Sequence, residues 1–112
     1  MPESPLKFAH FPFIEKILLR EKQHLSRPLL IFDVACGPGE LTRYCRIPDG
    51  CNLFGLDLWE YQLRQAAERN IYAALCQMNL VEGLPFKENS VDVIILGEIL
   101  MYLPNSYKLL KD

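Results

Sequence analysis

Two acids and two glycines carry most of the chemistry this 112-residue sequence offers. A short apolar run from Leu29 to Ala35 leads into Cys36-Gly37-Pro38-Gly39, and a helical pattern resumes at Glu40. A strand that ends in a glycine turn opening a helix presents backbone N–H groups beside the positive end of the helix dipole, where an anion or a polar ligand can sit. Gly37 and Gly39 allow torsions and a close approach that a side chain blocks. The dinucleotide fingerprint asks for a third glycine where Thr42 stands, and no Gly-Lys-Ser/Thr follows, so a phosphate cradle is the weaker reading. Asp57 lies 18 residues beyond Gly39, at the end of the next apolar run. A carboxylate there can accept hydrogen bonds from ribose hydroxyls, which favours a nucleoside without phosphates. An ordinary tight turn and a strand-end acid are the alternative these residues leave open.

These groups need a scaffold that brings two strand ends together. Phe13, Ile14, Ile17, Leu18 and Leu25 suit one face of a helix that opens at Pro12 and stops near Arg27, before Pro28. Strands are expected over Leu29 to Ala35, Leu53 to Leu58, Ile71 to Cys76 and Val91 to Gly97. Helices fall between the first three, from Glu40 to Arg46 with Leu41, Tyr44 and Cys45 on one side, and from Trp59 to Arg69 with Leu63, Ala66 and Ala67 inward. Pro104 marks the start of a last helix. Such alternation predicts an α/β fold with a parallel sheet and right-handed crossovers.

Composition narrows the class. Half the residues are apolar, 23% are charged and the net charge is -2, as in one globular domain over residues 1–112. The most apolar window, Val91 to Leu103, is interrupted by Asp92, Gly97 and Glu98, and no leader pattern opens the chain, so a cytoplasmic protein without a membrane span is expected. Basic residues are scattered, and nucleic acid is not implied by charge. Cys36, Cys45, Cys51 and Cys76 lack C-x-x-C spacing, which points to reduced, packed thiols and no metal site.

Asp33-Val-Ala-Cys-Gly-Pro-Gly39, followed by Leu-Phe-Gly-Leu-Asp57, resembles the first motif and the next acidic position of class I S-adenosylmethionine-dependent methyltransferases. Asn79-Leu80, Leu84-Pro85-Phe86 and Asn89-Ser-Val-Asp-Val-Ile94 resemble that family's adenine-side loop and fourth strand. The resemblance runs from Leu29 to Pro104 and implies a Rossmann-like sheet of about four strands in the order 3-2-1-4, the cofactor-binding half of the family's larger sheet.

It also implies S-adenosyl-L-methionine as cofactor and a role for each matching position. Asp33 would approach the methionine ammonium, and the backbone of Ala35, Cys36, Gly37, Pro38 and Gly39 would line the amino-acid moiety. Asp57 would take the ribose hydroxyls and Leu58 one face of the adenine. Asn79 would meet the adenine amino group, and Leu80 would add a backbone contact. Ala35 stands where the family more often has glycine and Asn79 where it has aspartate. On size alone the alanine is expected to be harmless. Glu98, after the fourth strand, is the weak catalytic candidate, and Tyr102 is expected to pack near the same crevice.

The family's acceptor-binding elements lie beyond the region of resemblance, so the methyl acceptor is unidentified. Val91 to Leu96 would form an open apolar edge, on which a second copy or a different subunit is expected. An inactive shortened form, or a non-enzymatic cofactor-binding or interaction module, is the alternative function.

Overall fold

The computed structural model describes residues 5–79, 91–96 and 99–102. Its elements run α1 (Pro5–Gln23), β1 (Leu29–Val34), α2 (Glu40–Tyr44), β2 (Cys51–Asp57), α3 (Glu60–Ala67), β3 (Ala74–Gln77), β4 (Val93–Leu96) and β5 (Ile99–Tyr102). They form one sheet in the order β3-β2-β1-β4-β5. The first four strands are parallel, as the alternation of strands and helices predicts, and stand in the order 3-2-1-4 that the family resemblance implies. β1 pairs with β2 from Leu29↔Cys51 to Val34↔Leu56, so the strands reach their carboxyl ends side by side.

The sheet's inner strands are apolar because both faces are packed. Leu29, Ile31, Leu53, Val93 and Ile95 point to one face, under Phe11, Ile14 and Leu18 of α1 and Leu41 of α2. Val34, Leu56 and Ile94 are buried on the other, with Phe32 stacked on Phe54 at 5.0 Å between ring centroids. α3 seals the end near the glycine turn by laying Leu63 and Ala66 on Cys36, Tyr72 and Leu75. Ala67, expected inward, is exposed.

α1 begins at Pro5, not Pro12, and ends at Gln23. Both prolines suit a first helical turn, and the chain uses the earlier one. Pro12 therefore lies inside the helix, with no N–H to give the carbonyl four residues back. The buried stripe is Phe11, Ile14, Ile17 and Leu18, and Phe13 turns out to solvent at 61% exposure. β3 starts at Ala74, later than expected, because Asn70 takes a left-handed conformation (φ 57°) after α3 and Ile71 to Ala73 only approach the sheet.

The larger correction concerns the edge beyond β4. It is not bare: β5 pairs with it antiparallel, from Val93↔Tyr102 to Leu96↔Ile99. The expectation of a second chain on the β4 edge loses its physical ground, since this chain pairs that edge itself. Tyr102 is opposite the first residue of β4, at the end of the sheet away from the strand carboxyl ends, and not beside the crevice. Glu98, Leu80, the Leu84-Pro85-Phe86 stretch and the helix expected from Pro104 lie outside the described residues.

Candidate functional site

β1 delivers Asp33 and Val34 to a turn made of left-handed residues. Ala35 (φ 59°), Gly37 (φ 56°) and Gly39 (φ 90°) all have positive φ, which folds the chain back into α2 within five residues. The two glycines serve different ends. A Cβ on Gly39 would meet Arg69 Cγ at 3.0 Å and Ala66 Cα at 3.4 Å, so this residue lets the turn press against α3. A Cβ on Gly37 would meet nothing within 4 Å, so its surroundings are open space.

Three donors of the turn are engaged by the protein itself. Cys36 N donates to Leu56 O at 2.9 Å and Gly39 N to Cys36 O at 3.1 Å. Gly37 N donates to Asp57 Oδ2 at 2.8 Å, and Pro38 has no N–H. Of the N–H cluster expected from the strand-turn-helix pattern, the groups of residues 36, 37 and 39 are thus turned inward. Asp57 also accepts from Trp59 N at 3.0 Å through its other oxygen, tying the turn after β1 to the start of α3.

The result is an acidic crevice. Asp33 and Asp57 are 3% and 7% exposed. A cavity of about 200 Å3 beside the turn is lined by Asp33, Ala35, Cys36, Gly37 and Pro38 together with Glu40 and Leu41. Cys36 is buried between the two acids, and its thiol is pushed up to about 12, first by desolvation and then by the charges of Asp33 and Asp57. It is protonated at neutral pH and no nucleophile.

Five of the expected site residues therefore line one cavity; Gly39 lines a separate one beside α3, and Asp57 is joined to the turn through Gly37 N. Leu58 and Trp59 follow Asp57 and are 43% and 57% exposed. Asn79 lies two residues beyond β3, exposed, next to Met78, whose N–H donates to Asp57 O at 3.0 Å. Glu40 and Leu41 were missed as lining residues, although their place in the first turn of α2 gave the signal.

Tyr72 was missed as well. Its hydroxyl donates to Asp33 Oδ2 at 2.6 Å, and burial, then the Asp33 charge, raise the phenol well above its ordinary value. Gly55 makes room for the ring: a Cβ there would stand 3.0 Å from Tyr72 Cδ1. A lone glycine within a strand is the sequence's hint of such an approach.

Among the described residues no group of His, Cys, Asp and Glu could hold a metal ion. No described helix is long and apolar enough to cross a membrane.

A parallel sheet in this order, with a glycine turn after β1 and an acid closing β2, defines a Rossmann-like nucleoside-binding domain. Residues 32–112 match the methyltransferase domain family, and the chain belongs to it. The family's cofactor is S-adenosylmethionine, as the sequence resemblance implied. Over 91 residues the chain is 32% identical to the sterol 24-C-methyltransferase of Saccharomyces cerevisiae, a match covering 77% of this chain and 24% of that protein. The fold is similar to that of the plantazolicin methyltransferase BpumL in complex with SAH, with a TM-score of 0.60 and 23% identity over 80% of this chain and 35% of that one. It is also similar to the YcgJ protein of Bacillus subtilis, with a TM-score of 0.54 and 18% identity over 78% of this chain and 36% of that one. The chain spans about a quarter to a third of the length of these relatives.

Proposed function

We propose that this chain binds S-adenosylmethionine in the acidic crevice at the carboxyl ends of β1 and β2 and contributes the donor site of a methyltransferase. The observation that carries this reading is the pair of buried carboxylates around a turn whose N–H groups at 36, 37 and 39 are internally bonded. Such a site repels phosphates and attracts a cation, and this cofactor has an ammonium and a sulfonium.

The residues divide the ligand among them. Asp33 faces the ammonium, and the backbone from Ala35 to Gly39 lines the amino-acid moiety. Asp57 keeps lone pairs on both oxygens for the ribose hydroxyls while it holds Gly37 and Trp59. Leu58 covers one face of the adenine, Asn79 accepts from its amino group, and Leu80 adds a backbone contact. The bound cofactor supplies a methyl group on a good leaving group, so the protein's task is to place the acceptor in line with it and keep water out. Glu98 is the only acid proposed to reach the acceptor. The acceptor's own site belongs to elements outside this chain's match, in a longer chain or a second subunit, because the match covers 24% of the sterol methyltransferase and 35% of BpumL. The cytoplasm is the proposed location.

Trp59 is the only tryptophan and stands two residues from Asp57, so its fluorescence reports binding directly. Titration with S-adenosylmethionine and S-adenosylhomocysteine should give saturable 1:1 changes, whereas ATP and NAD should give none. Equal response to the phosphate-bearing nucleotides, or no response to S-adenosylhomocysteine, would overturn the assignment.

A further inference from the structure

We propose that Tyr72 is a positioning residue for the cofactor, acting through Asp33; this rests on the crevice being the S-adenosylmethionine site. The residue lies outside every motif of the sequence and comes from the loop between α3 and β3, 39 positions from its partner. Three observations support the assignment. The hydroxyl donates to Asp33 Oδ2 at 2.6 Å, in the range of a short charge-assisted bond. Tyr72 is packed from several sides, against the core under α1 and α2 and against Cys36, Leu63 and Ala66. Gly55, directly across the sheet from Asp33 in the β1–β2 register, lacks the side chain that would displace the ring.

A carboxylate at the end of a strand has a broad terminal torsion, so its oxygens are not aimed by the backbone alone. The phenol binds one oxygen and sets the plane of the group. The other oxygen is then directed without an entropic cost at the moment of binding. A neutral donor also leaves the carboxylate its charge, which a lysine or arginine at position 72 would cancel. The ligand group that profits is the amino group of the methionine moiety. The adenosine portion is held by other residues and should be indifferent to the phenol.

That difference is the test. Tyr72→Phe keeps the ring in the space above Gly55 and removes the hydroxyl, with its bond to Asp33 and its side-chain hydrogen bond with Thr42. Binding of S-adenosylhomocysteine should weaken by roughly tenfold, the scale of one hydrogen bond to a charged group. Binding of 5′-deoxy-5′-methylthioadenosine, which has the nucleoside and sulfur but no amino acid, should stay within about twofold. In an Asp33→Asn background, Tyr72→Phe should cost no further affinity for S-adenosylhomocysteine, because the residue it acts through has lost its charge. Equal weakening of both ligands, or additive losses in the double variant, would show a merely structural tyrosine and overturn the proposal. Wild-type protein that binds no S-adenosylhomocysteine would overturn the cofactor reading itself, and the proposal with it. Circular dichroism checks that each variant folds. If Tyr72→Phe does not, Tyr72→Met supplies a second hydroxyl-free side chain able to fill the same space.

Discussion

Replacing Asp57 by asparagine separates two jobs that one carboxylate performs. In the free protein its oxygens accept from Gly37 N at 2.8 Å and Trp59 N at 3.0 Å, and the side chain is 7% exposed. Asparagine is isosteric but has one acceptor oxygen and an NH2 group, so one backbone N–H keeps a partner while the other faces a donor. Losing a hydrogen bond to a charged group costs about 1.5–3 kcal/mol, and the orphaned N–H adds to it. A loss of about 2–3 kcal/mol is a large share of the 5–15 kcal/mol that holds a domain of this kind together. At about 4–8 °C per kcal/mol, the melting temperature should fall by about 10–20 °C. Thermal unfolding followed by circular dichroism measures this, and calorimetric titration with S-adenosylhomocysteine at a temperature where the variant is folded measures the second job. A melting temperature shifted by less than the equivalent of about 0.5 kcal/mol, the ordinary scatter of surface substitutions, would refute the claim that Asp57 staples the turn. Unchanged affinity in a folded variant would remove the ribose contact and leave only the staple.

Ala35→Gly should stabilise the protein: left-handed torsion costs an L-residue about 1–2 kcal/mol, and the extra freedom of glycine in the unfolded chain returns only part of it, so a net gain of about 0.5–1 kcal/mol should appear in denaturant unfolding. Asp92→Asn should destabilise at neutral pH, since Arg27 donates to both carboxylate oxygens at 2.7 Å and Leu30 N donates at 2.8 Å. The Arg27 bonds hold the carboxyl below its ordinary 3.8, so their contribution is present above that value and lost as pH falls through the folded pKa; the gap between variant and wild type should close in acid. Exposed Cys76 should react with a thiol reagent at pH 8 in the folded protein, whereas Cys36 and Cys45, both buried and pushed up to about 12, should react only on unfolding.

The parts of the fold legible from sequence are those that local chemistry decides. Four apolar runs, the first three separated by helical patterns, point to a parallel sheet with right-handed crossovers, and the family resemblance implies its strand order. The turn was legible because Gly37 and Gly39 occupy torsions other residues avoid. What escaped depends on partners far along the chain. Nothing local distinguishes Pro5 from Pro12 as a helix start. The window Val91 to Leu103 reads as holding one strand, yet it supplies two paired ones, Val93–Leu96 and Ile99–Tyr102. Ala35 was judged by volume, but the position selects on φ. Tyr72 could be found only through its contact with Asp33 in the folded molecule.

The same distinction decides between phosphate and cation at this turn. A strand-turn-helix sequence is compatible with either, because both use glycine to expose backbone. The choice lies in which atoms the turn has left to offer. Here the N–H of Cys36 extends the sheet ladder, that of Gly39 closes the turn, and that of Gly37 is drawn inward by Asp57. An anion at the same place would meet two buried carboxylates and find those three donors engaged. The Cys36 thiol lies in the same surroundings and is raised first by burial and then by the charges of Asp33 and Asp57. Buried acids are costly to keep unless something compensates them. Asp57 is compensated by the backbone it staples, and Tyr72 is one partner of Asp33; on the proposed reading a ligand's ammonium would add to these neutral donors.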